Sequence, residues 1–566
     1  MTTATATAPQ PYKLSPASRR VFLGLMLGML VASVSQTIVG PAMPRIVSEL
    51  GGMDHYSWVA TAALLVSAIT VPIVGKFSDL YGRRGFYIAG LVVFMVGSLV
   101  AGFAQSFWVL VAARAIQGLG MGTVMPLSQT IIGDIIPPRQ RGKYQGLMGA
   151  VFGVTSVAGP LAGGFITDHW GWRWLFFAGI PIGVVATGFI LRFLHLPHER
   201  REAKVDSWGI ATLAVGLTAV LLATSWGGTS YPWGSATIIG LYVVGVVGLV
   251  AFVFAENRAE EPVIPLRLFR SRVFTAANIA SFGLAMVMFG SIIYIPVFAQ
   301  GVLGVDATNS GLILAPLMVG LIVMGILTGL AITRTGVYKP FMVVGVVVMG
   351  AGIWLLTRLT FESTQTQLTL AMVVLGIGIG MAMQQYTLVV QNASEKRDLG
   401  VATASSQFFR NVGSTVGIAV FGTVLTSGLG GAIASHLPAG AAASMPEGAA
   451  SAGSVLDPAA LAQLPPAVAT AVRQGLADQL HEVFLIGLPV VALVLLATFA
   501  IKALPLRDSN HDDTPAVAAE HAGHEMLDTM SQSSPEPVTT PARATDVDVD
   551  TDRDAAVGRQ PEPAVR

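Results

Sequence analysis

The sequence predicts an all-α membrane protein whose chain crosses the bilayer fourteen times. Of its 566 residues, 53% are hydrophobic and 11% are charged, whereas soluble domains carry roughly 25% charged residues. Fourteen apolar runs are long enough to cross a hydrocarbon core of about 30 Å, which takes roughly 20 helical residues. A charged segment recurs between two pairs of these runs, which is typical of a duplicated helical bundle.

The predicted helices, α1 to α14, follow a tail of residues 1–18 that is rich in Thr, Ala and Pro. No cleavage site follows the first apolar run, which favours a membrane helix over a removed signal peptide. The predicted helices span residues 21–40, 58–74, 86–102, 108–132, 146–166, 175–194, 208–226, 235–254, 274–298, 311–332, 341–359, 368–390, 402–425 and 483–503.

The distribution of lysine and arginine predicts the sidedness of these helices. If the N-terminus is inside, most of the 33 Lys and Arg residues lie in internal connections. The external connections contain Arg45, Arg173, Arg358 and Arg473. Because cytoplasmic loops retain cations, this asymmetry predicts that both termini are cytoplasmic.

The repeated segment predicts the domain organisation. Gly75 and Gly82 lie seven residues apart between α2 and α3, and Gly329 and Gly336 repeat that interval between α10 and α11. Two six-helix bundles would place the copies six helices apart, but they are eight apart, so α7 and α8 are an inserted hairpin. The predicted domains are an N-terminal bundle (19–195), the insertion with its flanks (196–256) and a C-terminal bundle (257–505), with the substrate route between the bundles.

Two segments are predicted to lie outside the membrane. Residues 427–480, rich in Ala, Gly and Pro, form an expected external loop with candidate short helices at 458–463 and 467–481. Residues 506–566 are polar and lack an apolar period, so we expect a disordered cytoplasmic tail. Its His511, His521 and His524 have no fixed geometry, which argues against a metal site.

The segment from Gly75 to Arg84 is interpreted as a loop that serves as a cytoplasmic gate. Gly75 and Gly82 permit a tight turn and close backbone approach, and Asp79 can accept hydrogen bonds at a helix N-terminus. Arg83 and Arg84 can hold the ends of neighbouring helices. The alternative is that these cations are ordinary interfacial anchors, but anchors would not need the acid or the glycine spacing.

Two arginines lie well inside predicted helices, away from the helix ends: Arg114 in α4 and Arg410 in α13. A charge at such depth costs on the order of 2.5 to 3.5 kcal/mol on insertion scales, so each side chain must face protein or water. Both are therefore candidate functional residues. A purely structural hydrogen-bond role is the alternative for each.

Predicted helix α5 carries Gly159, Pro160, Gly163 and Gly164 in one short stretch. Small residues let helix backbones approach closely, and a proline interrupts the hydrogen-bond ladder where a neighbour can compensate. A hinge or a tight helix contact is expected here, with generic membrane packing as the alternative.

Polar, aromatic and methionine side chains at mid-membrane depth are candidates for lining a substrate cavity. Methionines would supply a deformable wall suited to varied ligands, although most such residues merely pack. The candidates are Gln36, Trp58, Met125, Tyr294, Phe298, Gln384, Gln385 and Arg410.

Composition excludes several classes of function. A net charge of +1 argues against a nucleic-acid partner, and the absence of cysteine excludes thiolate nucleophiles and sulfur metal sites. No Gly-x-x-x-x-Gly-Lys-Ser/Thr segment is present, which argues against ATP as the driving force. Without a candidate nucleophile, metal cluster or nucleotide-binding loop, a receptor or an enzyme is disfavoured, and we expect no cofactor. We also expect the protein to be a monomer in the lipid bilayer.

Several of these motifs resemble those of the major facilitator superfamily, in its fourteen-helix drug:proton antiporter branch, and in particular the multidrug exporters of actinobacteria. Gly75 to Arg84 resembles the loop 2-3 signature, Arg114 to Gly120 the helix-4 motif linked to proton relay, and Gly159 to Gly164 the helix-5 motif of exporters. The resemblance implies a bacterial inner-membrane exporter of drug-like small molecules, with protons as the coupled ion.

The sequence departs from that branch at the acid expected in α1, where Ser35 stands in place of Asp. Arginine stays charged at any working pH, so Arg114 cannot itself carry a proton. Asp134, at the cytoplasmic end of the helix that bears Arg114, is the first candidate for the proton-accepting carboxylate, and Asp168 is the second. The alternative is an uncoupled or differently coupled exporter of a lipid or secondary metabolite.

Overall fold

The computed structural model describes residues 15–51, 55, 58–195, 206–228, 231–305, 313–437 and 465–506. The candidate helix 458–463, the tail beyond 506 and the tail histidines lie outside these residues. Fourteen helices in the described part are long and apolar enough to cross a membrane, and they match the fourteen predicted helices one for one. This is a multi-pass membrane protein.

The fourteen helices keep the labels α1 to α14. Residues Met43–Leu50 add a short helix after α1. The bounds are Pro16–Ala42, Trp58–Tyr81, Arg83–Gly102, Phe107–Ile135, Pro138–Trp170, Arg173–Phe193, Ser207–Trp226, Ala236–Arg258, Arg272–Gly301, Ala315–Thr335, Lys339–Thr357, Gln365–Ala393, Lys396–His436 and Pro466–Ala500.

The helices pack in two groups of six, with a peripheral pair between them in sequence. Helices α1 to α6 contact one another, as do α9 to α14. The two groups meet where α5 packs on α10 and α12, and where α2 and α4 pack on α13. Helices α7 and α8 pack on each other, and α7 also touches α2 and α13.

The segment Gly75 to Arg84 is not the loop that the sequence predicts. Helix α2 continues to Tyr81 and α3 begins at Arg83, so Gly82 alone forms the turn, with φ 98°. In the second copy, α10 continues to Thr335 and Gly336 ends it in a left-handed conformation, with φ 71°. A positive φ favours glycine at both positions. In each copy, the seven-residue glycine interval therefore covers the last two turns of a helix and ends at the glycine of the turn that follows.

The two copies of the repeat occupy equivalent contacts between the groups. A Cβ on Gly75 of α2 would clash with Ala404 of α13, and a Cβ on Gly329 of α10 would clash with the backbone of Gly142 in α5. Helices α10 and α13 each lie eight helices after their counterparts α2 and α5. The packing thus has the symmetry expected of a duplication with two helices inserted.

The predicted external loop 427–480 is shorter than expected. Helix α13 continues to His436 and α14 begins at Pro466, so both ends of the predicted loop are helical. Helix α14 includes the candidate short helix 467–481. Gln479 donates to the carbonyl of Val424 at 2.6 Å, which ties the first part of α14 to α13.

Candidate functional site

A cavity lies between the two groups of helices, in the middle part of their length. About 120 Å³ of it is open to water-sized molecules, enough for several waters. Both groups contribute to its wall, which combines methionine and aliphatic side chains with amides and hydroxyls. Its polar lining side chains are Ser33, Gln36, Ser67, Gln129, Gln384, Gln407, Arg410, Asn411, Ser414 and Thr415.

Four of the eight predicted cavity residues line this space, namely Gln36, Met125, Gln384 and Arg410. The other four do not belong to its lining. Trp58 packs on Trp108 and Trp226 at the opposite end of α2 from Tyr81. Tyr294, Phe298 and Gln385 are buried among helices of the C-terminal group.

Glutamines from both groups form the floor of the cavity. Gln391 of α12 donates to the carbonyl of Gln129 at 3.1 Å and to the Thr403 hydroxyl at 3.1 Å. Gln145 of α5 donates to Gln391 at 3.4 Å. This layer was not predicted from the sequence, although Gln391 is an amide in a largely apolar helix. The amide oxygens of Gln129 and Gln384 are buried without a hydrogen-bond partner among the described residues.

A cluster of charges lies beneath this floor, at what we call the Arg83 end of the molecule. Arg83 contacts the carboxylates of Asp79 and Asp134, each at 2.9 Å. Asp79 also accepts hydrogen bonds from the backbone N–H groups of Gly400 at 3.1 Å and Val401 at 2.9 Å. These N–H groups belong to the first turn of α13, where a helix has free donors and a favourable dipole.

Asp79 therefore joins α2 of the first group to α13 of the second, as its predicted role requires. The carboxylate is nearly buried, with 6% of its side chain exposed, so the interaction is poorly screened by solvent. Arg84 donates to the carbonyl of Leu191 in α6 at 2.6 Å and so holds a neighbouring helix within its own group.

The connection between α8 and α9 adds two ion pairs at the same end. Glu261 contacts Lys76 of α2 at 2.5 Å, and Arg267 contacts Asp398 at the start of α13 at 2.8 Å. Glu256, at the end of α8, accepts hydrogen bonds from the backbone N–H groups of Val263 and Ile264. The connection thus spans both groups. Local sequence patterns did not reveal it because each partner is more than 100 residues away.

Glycines on α5 make close contacts with both groups. A Cβ on Gly146 would lie 2.6 Å from the carbonyl oxygen of Gly325 in α10. Near the other end of α5, Gly159 and Gly163 face Thr37 and Ile38 of α1 too closely for a side chain. The predicted tight contact is therefore correct for these two residues. Pro160 lies within the continuous helix, and Gly164 has open space around it.

Arg114 is buried and bound entirely by neutral groups. Its guanidinium donates to the carbonyl of Val59 at 3.1 Å, to the Ser35 hydroxyl at 3.2 Å and to Gln117 at 2.7 Å. Ser35, which stands where the antiporter branch has an acid, is thus a direct partner of this arginine.

The predicted proton relay of Arg114, Asp134 and Asp168 is not assembled in one place. Arg114 and Asp134 are separated by 20 residues of the continuous helix α4, about 30 Å at 1.5 Å per residue. Asp168 is exposed near the end of α5 that lies farthest from the Arg83 end.

The end of the molecule opposite Arg83, which we call the Trp172 end, carries a smaller polar cluster. The Trp172 indole donates to Glu49 at 2.9 Å and Arg173 contacts the same carboxylate oxygen at 3.0 Å. The hydrogen bond from Trp172, aided by Arg173 and Arg45, lowers the pKa of Glu49 below its usual value. This cluster joins the short helix after α1 to the start of α6, within one group.

The comparison with protein-family models decides which family this architecture represents. The model described as Major Facilitator Superfamily matches residues 25–418. The chain belongs to the major facilitator superfamily. Members of this superfamily are membrane transport proteins, and the two groups of six helices around a central cavity agree with that assignment.

Relatives and solved structures agree with the superfamily assignment. The multidrug transporter protein MdtP of Bacillus subtilis (strain 168) is 37% identical over 517 residues, which cover 88% of this chain and 95% of MdtP. Multidrug resistance protein 3 of the same strain is 37% identical over 407 residues, covering 72% of this chain and 79% of that protein. The crystal structure of the human organic anion transporter MFSD10 (TETRAN) aligns with a TM-score of 0.57 and 16% identity, covering 86% of this chain and all of that one. This last likeness shows the fold alone.

Proposed function

We propose that this superfamily member exports hydrophobic or amphipathic small molecules from the cytoplasm, as a multidrug efflux transporter of a bacterial inner membrane. The observation that carries the proposal is a central cavity whose wall is shared by the two groups of helices. At the Arg83 end the groups are joined by the contact of Asp79 with the first turn of α13, which we call the latch. The names of the relatives MdtP and multidrug resistance protein 3 support varied drugs as substrates.

Alternating access then follows from the contacts between the groups. In the proposal the Arg83 end is cytoplasmic, because lysine and arginine concentrate there, and the described conformation is closed to the cytoplasm. Opening inward requires that Asp79 leave the first turn of α13 and that the Gln391 layer separate. The glycine contacts between α5 and α10 must open at the same time. The acting unit is a monomer, since each group closes on the other.

Proton antiport is part of the proposal, with Asp134 as the carboxylate that accepts the proton. Asp134 follows Gln129 of the cavity floor by five residues, about 7.5 Å along α4. It shares Arg83 with Asp79. A proton on Asp134 would free Arg83 from one of its two carboxylates and so change the charge balance that holds the latch. Coupling therefore passes through Arg83 and does not need Arg114.

The test uses purified full-length protein in proteoliposomes with a fluorescent drug and an internal pH dye. The wild type is expected to move drug against its gradient when a pH difference is imposed, and to move protons when drug is added. Asp134→Asn is expected to abolish accumulation driven by the pH difference, because the amide cannot take up a proton. The same variant should still exchange labelled for unlabelled drug across the membrane.

Asp168→Asn is the matched control, since Asp168 is an exposed acid far from the latch. It is expected to behave as the wild type. Proton-driven accumulation that survives in Asp134→Asn would rule out the assigned carboxylate. If the wild type moves no drug in any direction, the export function itself is wrong.

The alternative is an uncoupled exporter, and the observation that favours it is the neutral surroundings of Arg114. Ser35 lies 3.2 Å from that guanidinium at the position where an acid would give a buried, titratable pair. If net drug movement by the wild type is insensitive to uncouplers and Ser35→Asp introduces proton dependence, an uncoupled exporter replaces the proposed antiporter.

A further inference from the structure

The cavity contains one charge, and that charge is positive. Among the described residues that line it, Arg410 is the single ionised side chain, and the remaining polar groups are amides and hydroxyls. The guanidinium donates to the amide oxygen of Gln407. No carboxylate among the described residues forms an ion pair with it.

We propose that the cavity selects organic anions, namely amphipathic molecules whose carboxylate pairs with Arg410. The inference rests on the proposed export function and names its substrate class. A guanidinium offers a planar fork that matches a carboxylate bidentately. An arginine at this depth is costly to retain without a counter-charge, and a substrate carboxylate would supply that counter-charge. The methionine wall accommodates the apolar body of the molecule.

The charges elsewhere in the membrane region favour the same sign of substrate. The buried aspartates at the Arg83 end all have cationic partners: Asp79 and Asp134 share Arg83, Asp134 also feels the charges of Arg141 and Lys396, and Asp398 pairs with Arg267. Arg114, toward the Trp172 end, has only neutral partners. A cation moving outward from the cavity would thus approach a second uncompensated arginine, whereas an anion would be attracted.

The sign of the substrate also bears on the driving force. In a cell whose interior is negative, an anion that moves outward travels down the membrane potential. A potential of about 100 mV supports roughly a 50-fold outward gradient of a monovalent anion. This drive requires no titratable group in α1, where the chain has Ser35, and it adds to any proton antiport.

The test compares three probes that share one fluorescent ring system: dansylglycine, an anion; dansylglycinamide, neutral; and dansylcadaverine, a cation. Binding to the purified full-length protein in nanodiscs is followed by dansyl fluorescence. The wild type is expected to bind dansylglycine at least tenfold more tightly than dansylcadaverine. Arg410→Gln should weaken dansylglycine binding at least tenfold and leave dansylglycinamide unchanged, while Arg410→Lys should retain part of the preference.

A second variant tests the charge without removing the arginine. Ser414 lines the cavity one helical turn after Arg410, so Ser414→Asp would place a carboxylate beside the guanidinium. We expect it to lower dansylglycine affinity and raise dansylcadaverine affinity. Arg358→Gln, an exposed arginine beside Trp354 at the far end of α11, is the control and should change neither.

Two results would overturn the inference. Equal affinity of the wild type for dansylglycine and dansylcadaverine removes the claimed selectivity. An equal loss of affinity for all three probes in Arg410→Gln would assign Arg410 a structural role. The proposed export function is tested separately in proteoliposomes. Transport of cationic but not anionic drugs would support export and contradict anion selectivity. Binding of anions without transport of any drug would support anion selectivity and contradict export.

Discussion

At the residue scale, the carboxylate of Asp79 contacts two kinds of partner. It pairs with Arg83 within its own group and caps the first turn of α13 in the other. Hydrogen bonds to a charged group contribute about 1.5 to 3 kcal/mol each. The loss of this carboxylate charge should therefore shift the conformational equilibrium by a factor of roughly 10 to 100.

We expect Asp79→Asn to open the Arg83 end more often. The chain contains no cysteine, so Leu399→Cys, at a buried position against Gly133, provides a single reporter thiol. Its rate of alkylation by N-ethylmaleimide should rise about tenfold or more in the Asp79→Asn background. Adding Asp168→Asn instead should leave the rate unchanged. Equal rates in all three proteins would mean that Asp79 does not hold the latch.

The sequence predicted that Asp79 can accept hydrogen bonds at a helix N-terminus, but it did not indicate which helix. An aspartate before a turn is typical of helix capping. The backbone N–H that Asp79 accepts from belongs to Gly400, 321 residues further along the chain, so no local sequence pattern could identify it. Tyr294 and Phe298 show a different error. Both lie in α9, as predicted, but they do not line the cavity, because helices that are apolar on all sides give no signal for which face turns toward it.

At the element scale, α5 is the helix on which closure depends. Its Gly142 and Gly146 allow backbone contact with α10, and Gly159 and Gly163 allow backbone contact with α1. One helix thus packs closely on its own group at one end and on the other group at the other end. A rigid-body motion between the groups must therefore break the contacts of Gly142 and Gly146 with α10 and keep those of Gly159 and Gly163 with α1.

We expect Gly146→Val to slow transport at least fivefold, because a side chain there meets the Gly325 carbonyl oxygen, with its Cβ at 2.6 Å. Overpacking of this kind costs about 1 to 3 kcal/mol, and only in the state closed at the Arg83 end. The initial rate of drug exchange in proteoliposomes measures the effect. Gly164→Val on the same helix has open space around it and is the control; a similar loss of rate in both variants would show a general defect in α5.

The existence and order of the fourteen helices were predictable because each needs an apolar stretch long enough to cross the bilayer. Their ends were less predictable. Helix α13 extends to His436 and α2 extends to Tyr81, past the apolar runs that predicted them. Hydrophobicity ends where lipid ends, but backbone hydrogen bonding continues into the polar region, so a composition-based boundary falls short of the helix end.

At the scale of the whole molecule, the two groups are alike in packing and unlike in charge. Gly75 and Gly329 make equivalent contacts, but the position of Asp79 is occupied in the second copy by Thr333, whose hydroxyl donates to the Gly329 carbonyl at 2.9 Å. The acid is thus present at only one of the two equivalent interfaces. The glycine interval in the sequence pointed to these equivalent contacts, whereas the connection that bears Glu261 and Arg267 became apparent only in three dimensions.

The sidedness of the whole molecule gives a last prediction, on which the direction of transport depends. Gly85 lies two residues after Arg83 and has open space around it, and Glu362 is exposed in the turn between α11 and α12. Because the cations concentrate at the Arg83 end, a membrane-impermeant maleimide added to intact cells should label Glu362→Cys and leave Gly85→Cys unlabelled. Gly85→Cys should react once the membrane is permeabilised. Labelling of Gly85→Cys in intact cells would place the latch on the outside. The described conformation would then be closed to the exterior, which contradicts the proposed sidedness.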